Sequence, residues 1–279
     1  TYADSGPLRK ELYLAYNARA TSGELDNRGL LAEIVGLRRE KAKLLGYASF
    51  ADYVLEDRMA KKASTAQQFI TELHRRTVPF FAKEKEELYT FRRELEGAGA
   101  PPLEPWDVGY YSEKLRQQRY TFDDELLRPY FPLPRVLSGM FEIVKRLYGI
   151  TVAEVKKGEP THPGAWHDDV RYFKIFAEDG IHLGSFYADF FPRETKRGGA
   201  WMGDFMTGGP RAHGFEPHLG VICGNLTPPL GDKPALLTHD EVETCFHEFG
   251  HLLHHCLSKV EVKSLAGTHV AWDFVELPS

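Results

Sequence analysis

The sequence is organised around residues 244–255, which read TCFHEFGHLLHH. His247 and His251 are four residues apart, so on an α-helix they lie about one turn from each other on the same face and can bind one metal ion. Glu248 follows the first histidine and projects beside such an ion rather than at it. That position suits a general base, which takes a proton from the water that the metal activates. The spacing therefore predicts two ligands of a zinc site together with its base.

The residues around this motif are typical of a helix with one face turned inward. Thr238 and Glu241 form a Thr-x-x-Glu capping box, which marks a helix N-terminus. Apolar side chains then recur at helical spacing and predict a stripe that faces the core. The stripe consists of Val242, Phe246, Phe249 and Leu253. We expect a buried helix that presents its two spaced histidines to a cleft.

A catalytic zinc needs a third protein ligand and leaves its fourth position to water. Residues 267–279 offer Glu276, Asp273 and His269 as candidates, and spacing alone does not choose among them. A ligand histidine also commonly donates its second ring nitrogen to a carboxylate. Asp273 and Glu243 are alternatives for that orienting role.

Other histidines and cysteines on the same stretch have simpler interpretations. His254 and His255 lie seven or more residues past the first ligand, too far along the helix axis to share the ion, and we predict that they pack or face the surface. Cys245 and Cys256 are interpreted as small buried thiols. With Cys223 they make an odd number of cysteines without a Cys-x-x-Cys pair. A reducing compartment, the cytoplasm, fits this usage.

Composition narrows the class of protein. The chain has 279 residues, of which 42% are hydrophobic, so it can bury a sizeable core. Its net charge is -5, and its basic residues are interleaved with acidic ones. We therefore expect neither nucleic acid nor an anionic membrane surface as a partner. No run of 18 apolar residues occurs, so no membrane-spanning segment is predicted.

Hydrophobic periodicity predicts a helical region over residues 1–160. Helices are expected over residues 8–19, 30–46, 48–60, 108–118 and 135–148, the last ending at Gly149. Ser64 and Gln67 form a second capping box and predict the start of a further, long helix.

The character of the sequence changes near Pro160, where we place a domain boundary. In residues 161–279, strand-forming stretches over residues 170–176 and 183–191 flank a Glu-Asp-Gly turn and predict a β-hairpin. Residues 219–226 form a short apolar strand, which lies either at the edge of the cleft or as an ordinary sheet strand. Glycine pairs on both sides of Trp201 are interpreted as loops.

Two motifs carry a resemblance to a known family. Residues 246–251 (FHEFGH) and residues 273–279 (DFVELPS) resemble the metallopeptidase family of thimet oligopeptidase, oligopeptidase A and bacterial dipeptidyl carboxypeptidase. Further similar segments are residues 43–47 (KLLGY), 106–111 (WDVGYY), 166–171 (WHDDVR), 196–202 (KRGGAWM) and 236–242 (LLTHDEV). The resemblance covers essentially the whole chain and is strongest to bacterial oligopeptidase A.

The resemblance implies a mainly α, zincin-like metallopeptidase fragment with a small β-hairpin sheet beside the active-site helix. It implies one zinc ion per chain, held by His247, His251 and Glu276, with Glu248 as the general base. The expected activity is endopeptidase cleavage of short peptides. Removal of C-terminal dipeptides is the alternative within the family, and a zinc-binding piece without activity of its own is the alternative outside it.

The resemblance is to the central part of complete family members. We expect the chain to be a fragment that lacks an N-terminal helical region and everything after the glutamate motif. In the family, the later region supplies a histidine and tyrosines that contact the substrate. A missing C-terminal region is therefore expected to complete the site.

Overall fold

The computed structural model describes residues 3–120 and 124–279. The chain divides into two compact units, residues 1–123 and residues 124–279. The first unit is helical, and the second combines helices with a mixed β-sheet. The predicted fold class, mainly α with a small β-sheet, is thereby confirmed. Among the helices of the described residues, none has the length and apolar character needed to cross a bilayer.

The first unit contains five α-helices in its described part, all at positions that the sequence predicts. They are α1 (Gly6–Asn17), α2 (Arg28–Leu44), α3 (Phe50–Leu55), α4 (Ala63–Glu96) and α5 (Pro105–Tyr120), with a 3-10 turn at Gly23–Leu25. The helix predicted over residues 48–60 is shorter than expected.

The start of α4 differs from its prediction. Ser64 and Gln67 do not form the expected capping box, because the helix already begins after Lys62, whose side chain makes no capping hydrogen bond. Instead, the backbone N–H of Ala63 donates to the carboxylate of Asp52 in α3, at 2.9 Å. This hydrogen bond, with a second from Ser49, lowers the pKa of Asp52. The cap of the long helix is therefore a tertiary contact.

A buried carboxylate joins three helices of the first unit. Asp107 in α5 is 3% exposed. Its oxygens accept hydrogen bonds from Arg9 in α1 at 2.7 Å and from Arg92 in α4 at 3.0 Å. A buried charge is tolerated only when it is paired and hydrogen-bonded, which is the case here. These contacts hold α1, α4 and α5 together.

The second unit begins with a 3-10 segment, Asp124–Tyr130, and α6 (Leu133–Tyr148). Its remaining elements are β1 (Thr151–Val155), β2 (Arg171–Phe176), β3 (His182–Asp189), β4 (Trp201–Met206), β5 (Gly209–Pro210), β6 (Phe215–Glu216), β7 (His218–Cys223), α7 (His239–Cys256) and a 3-10 turn at Lys263–Leu265. As predicted, α6 ends at Gly149, which adopts the left-handed conformation with φ 68°. The compact units divide before α6 rather than near Pro160, because α6 shares its core with the sheet.

The main sheet has five strands in the order β1-β2-β3-β7-β4. Strands β2 and β3 form the predicted antiparallel hairpin, and β3 pairs with β7 in parallel. Of the two interpretations of residues 219–226, the structure supports the ordinary sheet strand and not the strand at the cleft edge, since β7 lies between β3 and β4. The edge beside it is β4, which the sequence did not predict as a strand because glycine pairs flank it and Gly203 interrupts it.

Four phenylalanines, each from a different element, pack together; three are buried in the core, and Phe141 is partly buried against them. Phe141 of α6 contacts Phe173 of β2 and Phe249 of α7, with ring centroids 5.6 and 5.7 Å apart. Phe186 of β3 stacks on Phe173 at 4.9 Å and meets Phe249 edge-on. Aromatic pairs at these distances add to the stabilisation from burial. The cluster fixes both helices on one face of the sheet.

The end of β3 carries a second buried carboxylate, Asp189, which is 2% exposed. It accepts hydrogen bonds from the indole of Trp166 at 2.9 Å, from both terminal nitrogens of Arg193 at 2.7 and 2.6 Å, and from Lys196 at 2.9 Å. Burial opposes ionisation, but these donors outweigh it and hold the pKa of Asp189 well below its usual range. The carboxylate therefore fastens the connection from β3 to β4.

We predict that Asp189→Asn lowers the free energy of unfolding at pH 7 by about 3 kcal/mol, because the buried ammonium group of Lys196 loses its counter-charge. Since the folded-state pKa is lowered, the stabilisation is complete above about pH 4 and is lost as the pH falls further. Urea denaturation at several pH values measures both effects. Glu194→Gln, an exposed carboxylate in the same connection, is the control. Equal stability of the two variants at pH 7 would contradict the prediction.

Candidate metal centre

Helix α7 begins where the sequence predicts. The Thr238 hydroxyl accepts a hydrogen bond from the Glu241 backbone at 3.1 Å, and the Glu241 carboxylate accepts one from the Thr238 backbone at 2.8 Å. The same carboxylate accepts from the backbone of Thr227 at 2.6 Å. Burial opposes ionisation of Glu241, but these N–H donors lower its pKa. The capping box is confirmed, and it also ties the helix start to the preceding loop.

The buried face of α7 is rotated from the predicted one. Phe249 and Leu253 are buried as expected, but Phe246 is 37% exposed. The stripe of α7 that is buried in the core at helical spacing consists of Cys245, Phe249, Leu252 and Cys256. Cys245 and Cys256 are buried free thiols, as predicted, and Cys223, for which no burial was predicted, is a buried free thiol as well. The predicted stripe left out Cys245 and Cys256, although both were expected to be buried, and included Phe246 instead.

The helix lies unusually close to the sheet at two glycines. A Cβ atom built on Gly220 of β7 would lie 2.7 Å from Leu252, and one built on Gly184 of β3 would lie 2.9 Å from the Cys256 sulfur. Real Cβ atoms essentially never show such distances, so a side chain at either position would force Leu252 or Cys256 to shift. This contact fixes the depth and the rotation of α7.

With the helix fixed in this way, His247 and His251 meet the carboxylate of Glu276. One oxygen of Glu276 lies 3.2 Å from Nε2 of His247 and 3.1 Å from Nε2 of His251. The ligand atoms of all three residues lie within 4.8 Å of one another. Asp273 and His269, the other candidates for third ligand, do not belong to this cluster.

These three groups fit a zinc ion. Two imidazole nitrogens and one carboxylate are a donor set of catalytic zinc sites. Atoms bound to a tetrahedral zinc at about 2.0–2.2 Å lie roughly 3.3–3.6 Å apart, close to the separations found here. Glu276 is well exposed, with 69% of its side chain accessible, while the side chain of His251 is 12% accessible. The cluster therefore has one open side.

The segment that carries Glu276 is pressed against α7 at both ends. A Cβ on Gly250 of the helix would lie 2.6 Å from Cα of Ser279. At the other end, a Cβ on Gly267 would lie 2.8 Å from Cα of His255, and Gly267 also has a φ of 58° that favours glycine. The sequence suggests neither contact, because each joins residues that are distant along the chain.

Glu248 lies on the inner side of the two histidines and is only 7% exposed. Burial raises its pKa, the imidazoles of His247 and His251 oppose that change, the nearby carboxylate of Glu276 adds to it, and a hydrogen bond from the Met202 backbone opposes it. Because these neighbours shift the pKa in opposite directions, the Glu248 carboxylate is suited to take up and release a proton. Met202 belongs to β4, so the edge strand contacts the candidate base.

The structure accounts only in part for the hydrogen bonding of the second ring nitrogens, Nδ1, of His247 and His251. Nδ1 of His251 is buried and has no hydrogen-bond partner among the described residues. Neither Asp273 nor Glu243 therefore orients His251 in this structure. The carboxylate of Glu243 lies 3.7 Å from His239 on the exposed side of the helix. An orienting role for either carboxylate toward His247 stays a prediction.

Two further histidines connect α7 to the rest of the unit. His255 is fully buried, in agreement with its predicted packing role, and its Nε2 donates to the carbonyl of Met206 at 3.3 Å. Its ring meets that of His218 edge-on at 4.8 Å. His218 accepts from the Gly208 backbone and donates to the Ser258 carbonyl. Burial lowers the pKa of both rings, which favours their neutral forms. No metal spacing in the sequence points to this pair.

A His-Glu-x-x-His helix on a mixed sheet, with a carboxylate closing the site from a later segment, defines a metallopeptidase-type centre. Residues 1–279 match the model for peptidase family M3. The chain thus belongs to peptidase family M3, a family of zinc metallopeptidases. The family resemblance seen in the two motifs is confirmed.

Relatives in this family include both predicted branches. Oligopeptidase A of Escherichia coli strain K12 is 43% identical over 286 residues, covering 100% of this chain and 41% of that protein. Organellar oligopeptidase A of Arabidopsis thaliana is 39% identical and is covered over 35% of its length. Dipeptidyl carboxypeptidase of Salmonella typhimurium is 36% identical over 97% of this chain and 39% of that protein. The chain spans about two fifths of the length of these relatives.

We predict that Gly250→Ala weakens zinc binding at the candidate centre by about tenfold or more, since the new methyl group displaces Ser279 and with it Glu276. Competition with a chromogenic chelator measures the affinity. The control is Gly139→Ala in α6, where an added Cβ has no neighbour within 4 Å. That variant should bind zinc normally and gain about 0.5–1 kcal/mol of stability. Equal zinc affinities in the two variants would show that the close contact at Gly250 does not position Glu276.

Proposed function

We propose that this chain forms the zinc centre of a metalloendopeptidase that hydrolyses internal bonds of short peptides. The observation that carries the proposal is the meeting of His247, His251 and Glu276 around one point, with Glu248 directly beside it. Membership of peptidase family M3 supports the same reaction class.

The four residues of the centre have separate roles in the proposed reaction. His247, His251 and Glu276 would hold one zinc ion between their facing nitrogen and oxygen atoms. When bound, the ion acts as a Lewis acid and lowers the pKa of a coordinated water toward neutrality. A carboxylate oxygen of Glu248 accepts the proton of the attacking water and later delivers it to the nitrogen of the departing amine. The peptide bond is hydrolysed without an acyl-enzyme.

We place the peptide substrate along β4. This strand is the edge of the sheet on the side of the metal centre, and edge strands offer unpaired backbone groups to an extended peptide. Its backbone also contacts Glu248 through Met202. A peptide paired there would run past the candidate base.

Two alternatives differ in what they would cleave. Dipeptidyl carboxypeptidase activity is the family alternative, and the relative of that name is similar over 97% of this chain. We favour the endopeptidase because oligopeptidase A is more similar, at 43% identity. A peptide with a C-terminal amide separates the two, because an enzyme that anchors a free carboxylate should not cleave it. A zinc-binding chain without activity of its own is the other alternative, in which a further region of the polypeptide completes the site.

We also propose that the protein works in a reducing compartment such as the cytoplasm. Its three cysteines are buried free thiols. One relative, 39% identical, is described as a probable cytosolic oligopeptidase A of Arabidopsis thaliana.

We predict that Glu248→Gln lowers the rate of peptide hydrolysis by at least about a hundredfold, because the amide cannot accept the proton of water. Zinc content should stay at one ion per chain, as measured by metal analysis of the purified protein. Asp240→Asn, on the exposed first turn of the same helix, is the control and should keep the wild-type rate. Wild-type hydrolysis that persists in Glu248→Gln would remove Glu248 from the mechanism. Zinc binding without hydrolysis in the wild type would favour the inactive alternative.

A further inference from the structure

The segment that carries Glu276 has no helix or strand of its own after the 3-10 turn that ends at Leu265. Its backbone hydrogen bonds are local, such as those from Phe274 to Ala271 and from Leu277 to Phe274. Turns of this kind do not by themselves fix a side chain relative to a distant helix. The position of Glu276 therefore depends on contacts that the segment makes elsewhere.

One such contact joins the segment to the edge strand. Nε2 of His269 lies 3.2 Å from a carboxylate oxygen of Asp204 in β4. The two side chains are partly enclosed, with 43% and 33% of their surfaces exposed. At this distance Nε2 of the imidazole is in direct contact with the carboxylate oxygen. We call this contact the His269–Asp204 clasp.

The clasp lies beside a β-bulge in β4. The pairing of β4 with β7 shifts between Asp204 and Met206, so that Phe205 is an extra residue in the strand. Such bulges bend a strand and redirect its side chains. On one side of the bulge, Met202 contacts Glu248, and on the other, the carbonyl of Met206 accepts from His255. Asp204 lies between two points where β4 is attached to α7.

We propose that His269 and Asp204 are positioning residues for the metal centre. Their clasp fastens the Glu276 segment to β4, which is itself attached to α7, and so holds Glu276 opposite His247 and His251. The inference rests on the proposed function, since it concerns zinc binding at the same site. His269 is thus assigned a role other than that of a zinc ligand.

A clasp of this kind acts by preorganisation. Without it, the segment samples more positions, and zinc binding must order Glu276 at a cost in conformational entropy. A partly exposed contact between two polar side chains contributes little to global stability. Its loss is therefore expected to weaken zinc binding while the metal-free protein unfolds at nearly the same urea concentration. A residue with a merely structural role would show the opposite pattern.

The test is a double-mutant cycle on zinc affinity in the 279-residue chain, measured by competition with a chromogenic chelator. His269→Ala and Asp204→Ala should each weaken zinc binding by about tenfold, the lower end of the range for groups that support metal ligands. The double variant should be no weaker than either single variant, because both remove the same contact. His269→Gln keeps an N–H donor at similar reach and should recover most of the affinity. His213→Ala, an exposed histidine of the same unit, is the control.

The outcomes separate the two proposals. Wild-type affinity in His269→Ala, or additive losses in the double variant, would overturn the clasp while leaving the zinc site intact. A wild-type chain that binds no zinc would overturn the proposed function and the clasp with it. Should His269→Ala not fold, the comparison of Asp204→Ala with Asp204→Asn, which keeps an acceptor oxygen, gives the same decision.

Discussion

The close packing of α7 on the sheet is the constraint on which the rest of the second unit depends. Leu252 and Cys256 occupy the space that side chains would need at Gly220 and Gly184. Because protein interiors are packed to crystal-like density, a helix in such a contact cannot rotate or slide without opening a void. The rotation of α7 in turn decides which residues face away from the sheet. His247 and His251 reach the open side for this reason, while Glu248 stays against β4.

The polar contacts around α7 follow from the same packing. The helix covers one side of the edge strand, and that strand meets α7 through Glu248 at Met202 and through His255 at Met206. At Met206 the contact is a hydrogen bond from the His255 ring to the backbone carbonyl. The candidate base and the strand next to it are thereby held by one set of interactions.

The sequence predicts those features that depend on residues close together in the chain. The capping box at Thr238, the end of α6 at Gly149 and the β2–β3 hairpin all rest on local chemistry, and the structure confirms each of them. The features that it mispredicts depend on distant residues. The cap of α4 comes from Asp52, and β4 becomes a strand only through its pairing with β7. Residue propensities identify this stretch as glycine-rich, but they contain no information about its pairing partner, β7.

The candidate site shows the same division. Spacing within one helix turn suffices to propose His247, Glu248 and His251, because the helix supplies the geometry. It does not suffice for the third group, since the residues between α7 and Glu276 are irregular and could bring several side chains to the same place.

The choice of third group is made by the fold around it. Contacts at Gly267 and Gly250 hold the segment on both sides of Glu276. As a result, a carboxylate oxygen of Glu276 lies next to the two histidines. The carboxylate and the imidazoles already lie near the separations that a bound zinc requires, so the proposed zinc binding needs little rearrangement of the three side chains. A site whose donors are placed by packing rather than by the ion loses less entropy when the ion binds. Sequence patterns do not reveal the third group, because it is placed by the close packing of helix, strand and segment. The same close packing would make the centre bind zinc tightly.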